Sequence, residues 1–216
     1  MAEICIVLSS MEDIREIKTI KEKVLIELRL DLLEIPVEEI PELMKISNHW
    51  MVSIREKLFE KPDAEKLILA ALSQRPRYLD IDENCLNKPL IVNLLQNLSP
   101  NIKRIYSYHN FEFTPDFSIL NEKAENLFRS GADIVKVACL GTKAADLKTI
   151  EKLYDKFPNL IAFLMGDEYK NTRFIALTKG AGLSYASMNE KHKTAPGQLI
   201  YQEMKDFLEQ NKIEHE

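Results

Sequence analysis

The chain has 216 residues, 45% of them hydrophobic and 29% charged, with a formal net charge of −5 at pH 7. That length and composition suit one domain with a full core, and an acidic chain without a basic, aromatic-interleaved run makes a poor nucleic-acid binder. No apolar stretch approaches the roughly 20 residues of a membrane span, and Met1-Ala2-Glu3-Ile4 enters a strand with no basic leader or small-residue cleavage site, so a cytoplasmic location is expected.

The three cysteines, Cys5, Cys85 and Cys139, are odd in number, distant and without metal-ligand spacing, which predicts free thiols in a reducing compartment. The four histidines, His49, His109, His192 and His215, form no His-x-x-x-His pair, and no metal is expected. Six glycines form neither a dinucleotide fingerprint nor a phosphate loop, and Gly180 and Gly182 alone carry little weight. No nucleotide cofactor is expected either.

In chain order, short apolar runs alternate with helical stretches about eight times, the rhythm of parallel β/α units. The predicted strands are Ile4 to Leu8, Val24 to Leu30, His49 to Ile54, Tyr78 to Ile81, Ile102 to Tyr108, Ile134 to Ala138, Leu160 to Leu164 and Leu183 to Ala186. Amphipathic segments lie between them, such as Thr114 to Arg129, with Phe117, Leu120, Ala124, Leu127 and Phe128 at helical spacing. Eight such units predict a compact (β/α)₈ barrel, with a doubly wound open sheet as the alternative.

Strand two, Val24 to Asp31, places Glu27, Arg29 and Asp31 on one face and Ile26, Leu28 and Leu30 on the other. In an antiparallel sheet the charged face would simply be solvated. In a barrel it points inward, and its charges belong near the open C-terminal mouth, where they need partners. Strand three repeats the pattern with Met51, Ser53 and Arg55. His109 falls at the end of strand five, where it serves either as a hydrogen-bonded structural residue or as a proton shuttle. Strand six reads Ile134-Val135-Lys136-Val137-Ala138, apolar on both faces, so Lys136 is expected to be buried. Burial disfavours the ammonium form and favours the neutral amine that attacks carbonyls, although a strand lysine can also snorkel to water. Arg173 follows strand seven by about nine residues, in what reads as a mobile loop, and a surface salt bridge would account for it equally well. The last loop, Lys193-Thr194-Ala195-Pro196-Gly197-Gln198, follows strand eight, where barrels often bind anionic groups, although Pro and Gly there are also ordinary turn chemistry.

Taken as an ordered set, these residues resemble the type I 3-dehydroquinate dehydratases. The likeness is carried by Glu27-x-Arg29-x-Asp31, Arg55, Ser107-Tyr108-His109-Asn110-Phe111, Ala132 to Ala138, Met165-Gly166 leading to Arg173, and Ala195-Pro196-Gly197-Gln198. It implies one barrel domain over residues 1–216, usually dimeric, that removes water from 3-dehydroquinate without metal or cofactor. By the same likeness, Lys136 forms a Schiff base with the ring ketone and His109 moves the protons. Glu27, Arg29, Arg55, Arg173 and Gln198 hold the hydroxyls and carboxylate, and Ser9 and Thr194 complete the pocket. The chain departs from the family pattern after Arg55, where Glu56 to Lys61 has no glycine pair, leaving open which of Glu56 and Glu60 reaches His109, if either does. It departs again at Phe163, Tyr169 and Thr194, where methionine, glycine and serine are more common. No second domain is expected after residue 216. A class I aldolase of the same Schiff-base chemistry and a non-catalytic metabolite-binding barrel are the alternatives.

Overall fold

Each of the eight apolar runs forms a strand in the computed structural model, which describes residues 2–20 and 23–211. The strands are β1 (Glu3–Leu8), β2 (Leu25–Arg29), β3 (Trp50–Ile54), β4 (Tyr78–Asp82), β5 (Lys103–Asn110), β6 (Ile134–Leu140), β7 (Leu160–Met165) and β8 (Leu183–Ser187). The helices are α1 (Met11–Ile17), α2 (Ile40–Met44), α3 (Ala64–Ser73), α4 (Pro89–Gln96), α5 (Phe117–Arg129), α6 (Ala145–Lys156), α7 (Thr172–Thr178) and α8 (Tyr201–Gln210). A ninth strand, β9 (Leu199–Ile200), was not predicted. α5 begins later than its hydrophobic spacing suggests because Pro115 follows Thr114 and Asp116 keeps an extended backbone. Among the described residues, no helix is long and apolar enough to cross a membrane.

The sheet is parallel, in the order β7-β6-β5-β4-β3-β2-β1-β8-β9, and it curls into an α/β barrel with β7 and β8 meeting at the seam. Across that seam Ala181 N–H donates to Leu160 O at 2.9 Å, and Gly166 N–H donates to Pro196 O at 3.1 Å. Leu199 and Ile200 pair with Ala186 and Ser187, so β9 fills the C-terminal end of the gap. Gly197 makes this possible. Its φ is +67°, and a Cβ there would lie 2.2 Å from Gly166 O, so only glycine fits.

Two apolar layers result from strands covered on both faces. Ile26, Leu28, Val52, Ile54, Leu79, Ile81, Val135 and Val137 pack outward against the helices. Cys5, Leu25, Met51, Tyr78, Ile105, Ile134, Ile161 and Leu183 fill the barrel interior. Toward the C-terminal ends the inward positions turn polar: Glu27, Ser53, Asp80, Ser107 and Lys136 are all buried. The apolar floor closes the barrel below, and the charged level above it is where a site can form.

Candidate active site

β4 alternates Tyr78-Leu79-Asp80-Ile81-Asp82, sending Leu79 and Ile81 to the helix layer and both carboxylates inward. Asp80 is completely buried. Arg55 grips it with both prongs, Nη1 to Oδ1 at 3.0 Å and Nη2 to Oδ2 at 2.7 Å. Ser107 Oγ donates to Oδ1 at 2.7 Å, Tyr185 OH to Oδ2 at 3.2 Å, and Lys136 Nζ to Oδ2 at 3.1 Å. Burial pushes the Asp80 carboxyl pKa up, but the Arg55 and Lys136 charges outweigh it and hold the group well below the usual carboxylate range. Asp80 is therefore an anion shared by two cations, and Arg55 has the closer, two-pronged share.

Burial, more than this sharing, sets the state of Lys136. The residue is 5% exposed, and its Nζ lies 3.7 Å from the centroid of the Tyr185 ring. Burial lowers its pKa from 10.5; Asp80 opposes that shift and the neighbouring Arg55 charge adds to it. The net direction is down, which favours the neutral amine relative to an exposed lysine.

His109 lies one turn of the pleat above Ser107 on β5, and its Nδ1 is 2.8 Å from Asp82 Oδ2. Burial pushes the Asp82 carboxyl pKa up, but the bond to the His109 imidazole, with the Arg55 charge adding to it, prevails and holds the carboxyl below its usual range. An ionised carboxylate only accepts, so Nδ1 carries the proton and Nε2 keeps its lone pair. Burial is the main cause that pulls the His109 pKa from 6.5 down to about 4, with Lys136 and Arg55 adding to it against the Asp82 bond. The imidazole is thus neutral near pH 7 and able to accept a proton. It takes Asp82 as its carboxylate partner rather than Glu56 or Glu60, because β4 extends one residue further than predicted and brings Asp82 into register with Ser107.

A titration checks this arrangement. The His109 ring, followed by NMR, is expected to titrate near pH 4 rather than 6.5, and in Asp82→Asn lower still, because the carboxylate bond that favours the imidazolium is gone. The unfolded chain takes up this proton first, so His109's contribution to stability falls as pH drops from 6.5 to about 4. A His109 midpoint near 6.5 would contradict the assignment.

The remaining charges divide into paired and unpaired. Arg29 places Nε and Nη2 on the two Asp31 oxygens, each at 2.8 Å. Glu27 is 2% exposed, accepts from Ser53 Oγ, and lies 3.7 Å from Arg55 Nη2. Arg173 differs from both arginines. It is 1% exposed, its Nε donates to Gly197 O at 3.0 Å, and its Nη2 is buried with no hydrogen-bond partner. Burial pulls its pKa down to about 9. The predicted loop position is corrected here, since Arg173 sits in the first turn of α7, which Thr172 secures by accepting from Leu164 N–H at 2.9 Å and donating to Tyr169 O at 2.8 Å. Gln198 Oε1 accepts from Thr194 N–H at 2.6 Å and Oγ1 at 3.1 Å, leaving its NH₂ group as a donor.

Glu27, Arg29, Arg55, His109, Lys136, Arg173, Thr194 and Gln198 line one cavity of about 540 Å³ at the C-terminal mouth, a size that suits a small metabolite. Ser9 is the predicted residue that the structure leaves out of this lining. Its N–H and Oγ go to Asp13 Oδ2 at 2.8 and 3.1 Å, and Oγ also reaches His192 O at 3.3 Å. Asp80, Asp82 and Tyr185 were not predicted, although the period-two alternation of β4 marks both carboxylates as inward. Among the described residues, no three His, Cys, Asp or Glu side chains cluster as a metal site requires. A buried amine whose pKa is shifted toward the neutral form, a neutral imidazole and an unpaired arginine around one cavity can together attack a ketone, move a proton and hold an anion.

Comparison with known proteins gives a consistent result. The family model described as type I 3-dehydroquinase matches residues 4–215. The chain is 31% identical over 190 residues to a 3-dehydroquinate dehydratase of Pyrococcus abyssi, covering 82% of this chain and 86% of that one. It is 32% identical over 193 residues to one from Methanococcus maripaludis, covering 86% and 87%. In fold, it is similar to the crystal structure of the 3-dehydroquinate dehydratase from Aquifex aeolicus, with a TM-score of 0.77, 24% identity, and coverage of 96% of this chain and 98% of that one.

Proposed function

The chain belongs to the type I 3-dehydroquinase family, and from that membership we propose that it dehydrates 3-dehydroquinate to 3-dehydroshikimate through an imine on Lys136. The observation that carries the reading is the common cavity. Lys136 and His109 line it together with Arg173, a buried cation for which the described residues supply no carboxylate. Neutral Lys136 attacks the ring ketone and water leaves, giving an iminium that acidifies the neighbouring C–H. His109 Nε2 takes the C2 proton, and the resulting enamine pushes out the β-hydroxyl, which leaves as water with a proton returned by the imidazolium. Water then hydrolyses the imine, releasing the enone and restoring the Lys136 amine. Asp80 keeps Lys136 placed, and Asp82 keeps His109 in the tautomer with Nε2 free.

The substrate's carboxylate suits Arg173, because a planar guanidinium makes two charge-assisted bonds to it and the pair satisfies the orphaned Nη2. Glu27, Arg29, Arg55, Thr194 and Gln198 are assigned to the ring hydroxyls, the two arginines from positions braced by Asp31 and Asp80. Ser9 belongs to this set by resemblance, acting from its place beside the His192 carbonyl. The three cysteines are free and buried, which supports the cytoplasmic assignment, and the family likeness supports a homodimer.

Adding 3-dehydroquinate and following the ultraviolet absorbance of the conjugated enone tests the activity. Appearance of the band is expected, and its absence with folded protein would overturn the reading. Arg173→Ala is expected to weaken substrate binding by about 2–5 kcal/mol, read mainly in KM, as for truncating one partner of a desolvated charge pair. An unchanged KM would remove Arg173 from the carboxylate subsite.

A further inference from the structure

Arg173 lacks a carboxylate, but its charge does not face the empty cavity alone. Its guanidinium carbon lies 4.3 Å from the centroid of the Phe163 ring. Phe163 points inward from β7, is 3% exposed, and lines the same cavity. A ring face is negative by its quadrupole and attracts a cation without being an anion. That distinction matters at this position. An Asp or Glu beside Arg173 would satisfy the guanidinium and compete with an incoming carboxylate, whereas an aliphatic side chain would leave a desolvated cation with only the Gly197 carbonyl. The aromatic face lies between these extremes, strong enough to hold the charge and weak enough for a real anion to displace.

We propose that Phe163 is a positioning residue for Arg173: its ring keeps the guanidinium charged and directed at the cavity while the site is empty, and so sets affinity for carboxylate-bearing substrates. The inference rests on Arg173 being the carboxylate partner. Phe163 acts through that arginine and takes no part in bond making at the ketone.

The test compares Phe163→Leu, Phe163→Tyr, Arg173→Ala and the double variant Phe163→Leu/Arg173→Ala, with KM and kcat for 3-dehydroquinate measured in each. Phe163→Leu should raise KM by about 5- to 30-fold, the range of a desolvated cation–π contact, and move kcat far less. Phe163→Tyr keeps the face and should keep KM. In the Arg173→Ala background, Phe163→Leu should change KM by no more than about twofold, since coupled residues are non-additive. An NMR signal needing no ligand completes the test. The Arg173 Nε proton of the empty wild-type enzyme should be displaced upfield by the ring current and return in Phe163→Leu. If that displacement is missing from the wild type, or if Phe163→Leu raises KM equally with and without Arg173, the inference is overturned while the carboxylate subsite stands. If the displacement is present and Arg173→Ala leaves KM unchanged, the carboxylate reading fails and the inference falls with it.

Discussion

Lys136→Met is expected to lower kcat by at least roughly 10⁴-fold, the scale seen when a covalent nucleophile is removed from a site that acts as a unit. Methionine keeps the length and apolar stem of the lysine, and the residue it replaces is already buried, so burial does not change. Asp80 loses one cation but keeps the two-pronged Arg55 bond and the Ser107 and Tyr185 hydroxyls. The fold should therefore persist, and the loss should be chemical. Substrate should still bind through the arginines, leaving binding affinity much less affected than turnover. Activity within about tenfold of wild type would mean that no covalent bond to this residue is needed.

His109→Ala is expected to lower kcat by roughly 10²–10⁴-fold while leaving covalent capture possible. Imine formation needs the Lys136 amine and the ketone. Removal of the C2 proton needs, in addition, a base within about 2.6–3.2 Å, and Nε2 is free for that because Nδ1 is engaged with Asp82. The same variant, mixed with substrate and examined by mass spectrometry, should hold a covalent adduct even as turnover stops, because on the proposed mechanism the adduct cannot go on to lose its C2 proton without the histidine. Normal turnover in His109→Ala would take the imidazole out of the mechanism. A folded, inactive variant that forms no adduct would place His109 earlier, in carbinolamine formation.

Much of this site could be read from periodicity. The doubly covered strand around Lys136 follows from its unbroken apolar run, the charged faces of β2 and β3 follow from alternation, and the structure puts Glu27, Arg29, Arg55 and Lys136 on one cavity. Alternation also marks Asp80 and Asp82. Ending strand four at Ile81 hid Asp82, and with it the partner of His109. Other features depend on long-range packing that a local pattern does not encode. Gly197 approaches Gly166 across the seam and so permits β9, although nothing in Leu199-Ile200 alone announces a strand. Ser9 turns from the cavity because a buried Asp13 collects its amide and hydroxyl while capping α1. Arg173 looked like a loop residue because the seven-residue α7 is too short to show helical spacing. Its missing counter-ion is a fact of three dimensions, and sequence gave no sign of it.

The central claim is that Lys136 is the covalent centre. Borohydride added to the wild-type enzyme during turnover of 3-dehydroquinate should reduce the imine to a stable secondary amine. Intact-mass measurement should then show one adduct per chain, and peptide mapping should place it on Lys136. An adduct on a different lysine, or turnover that borohydride neither slows nor marks with any adduct, would contradict the account.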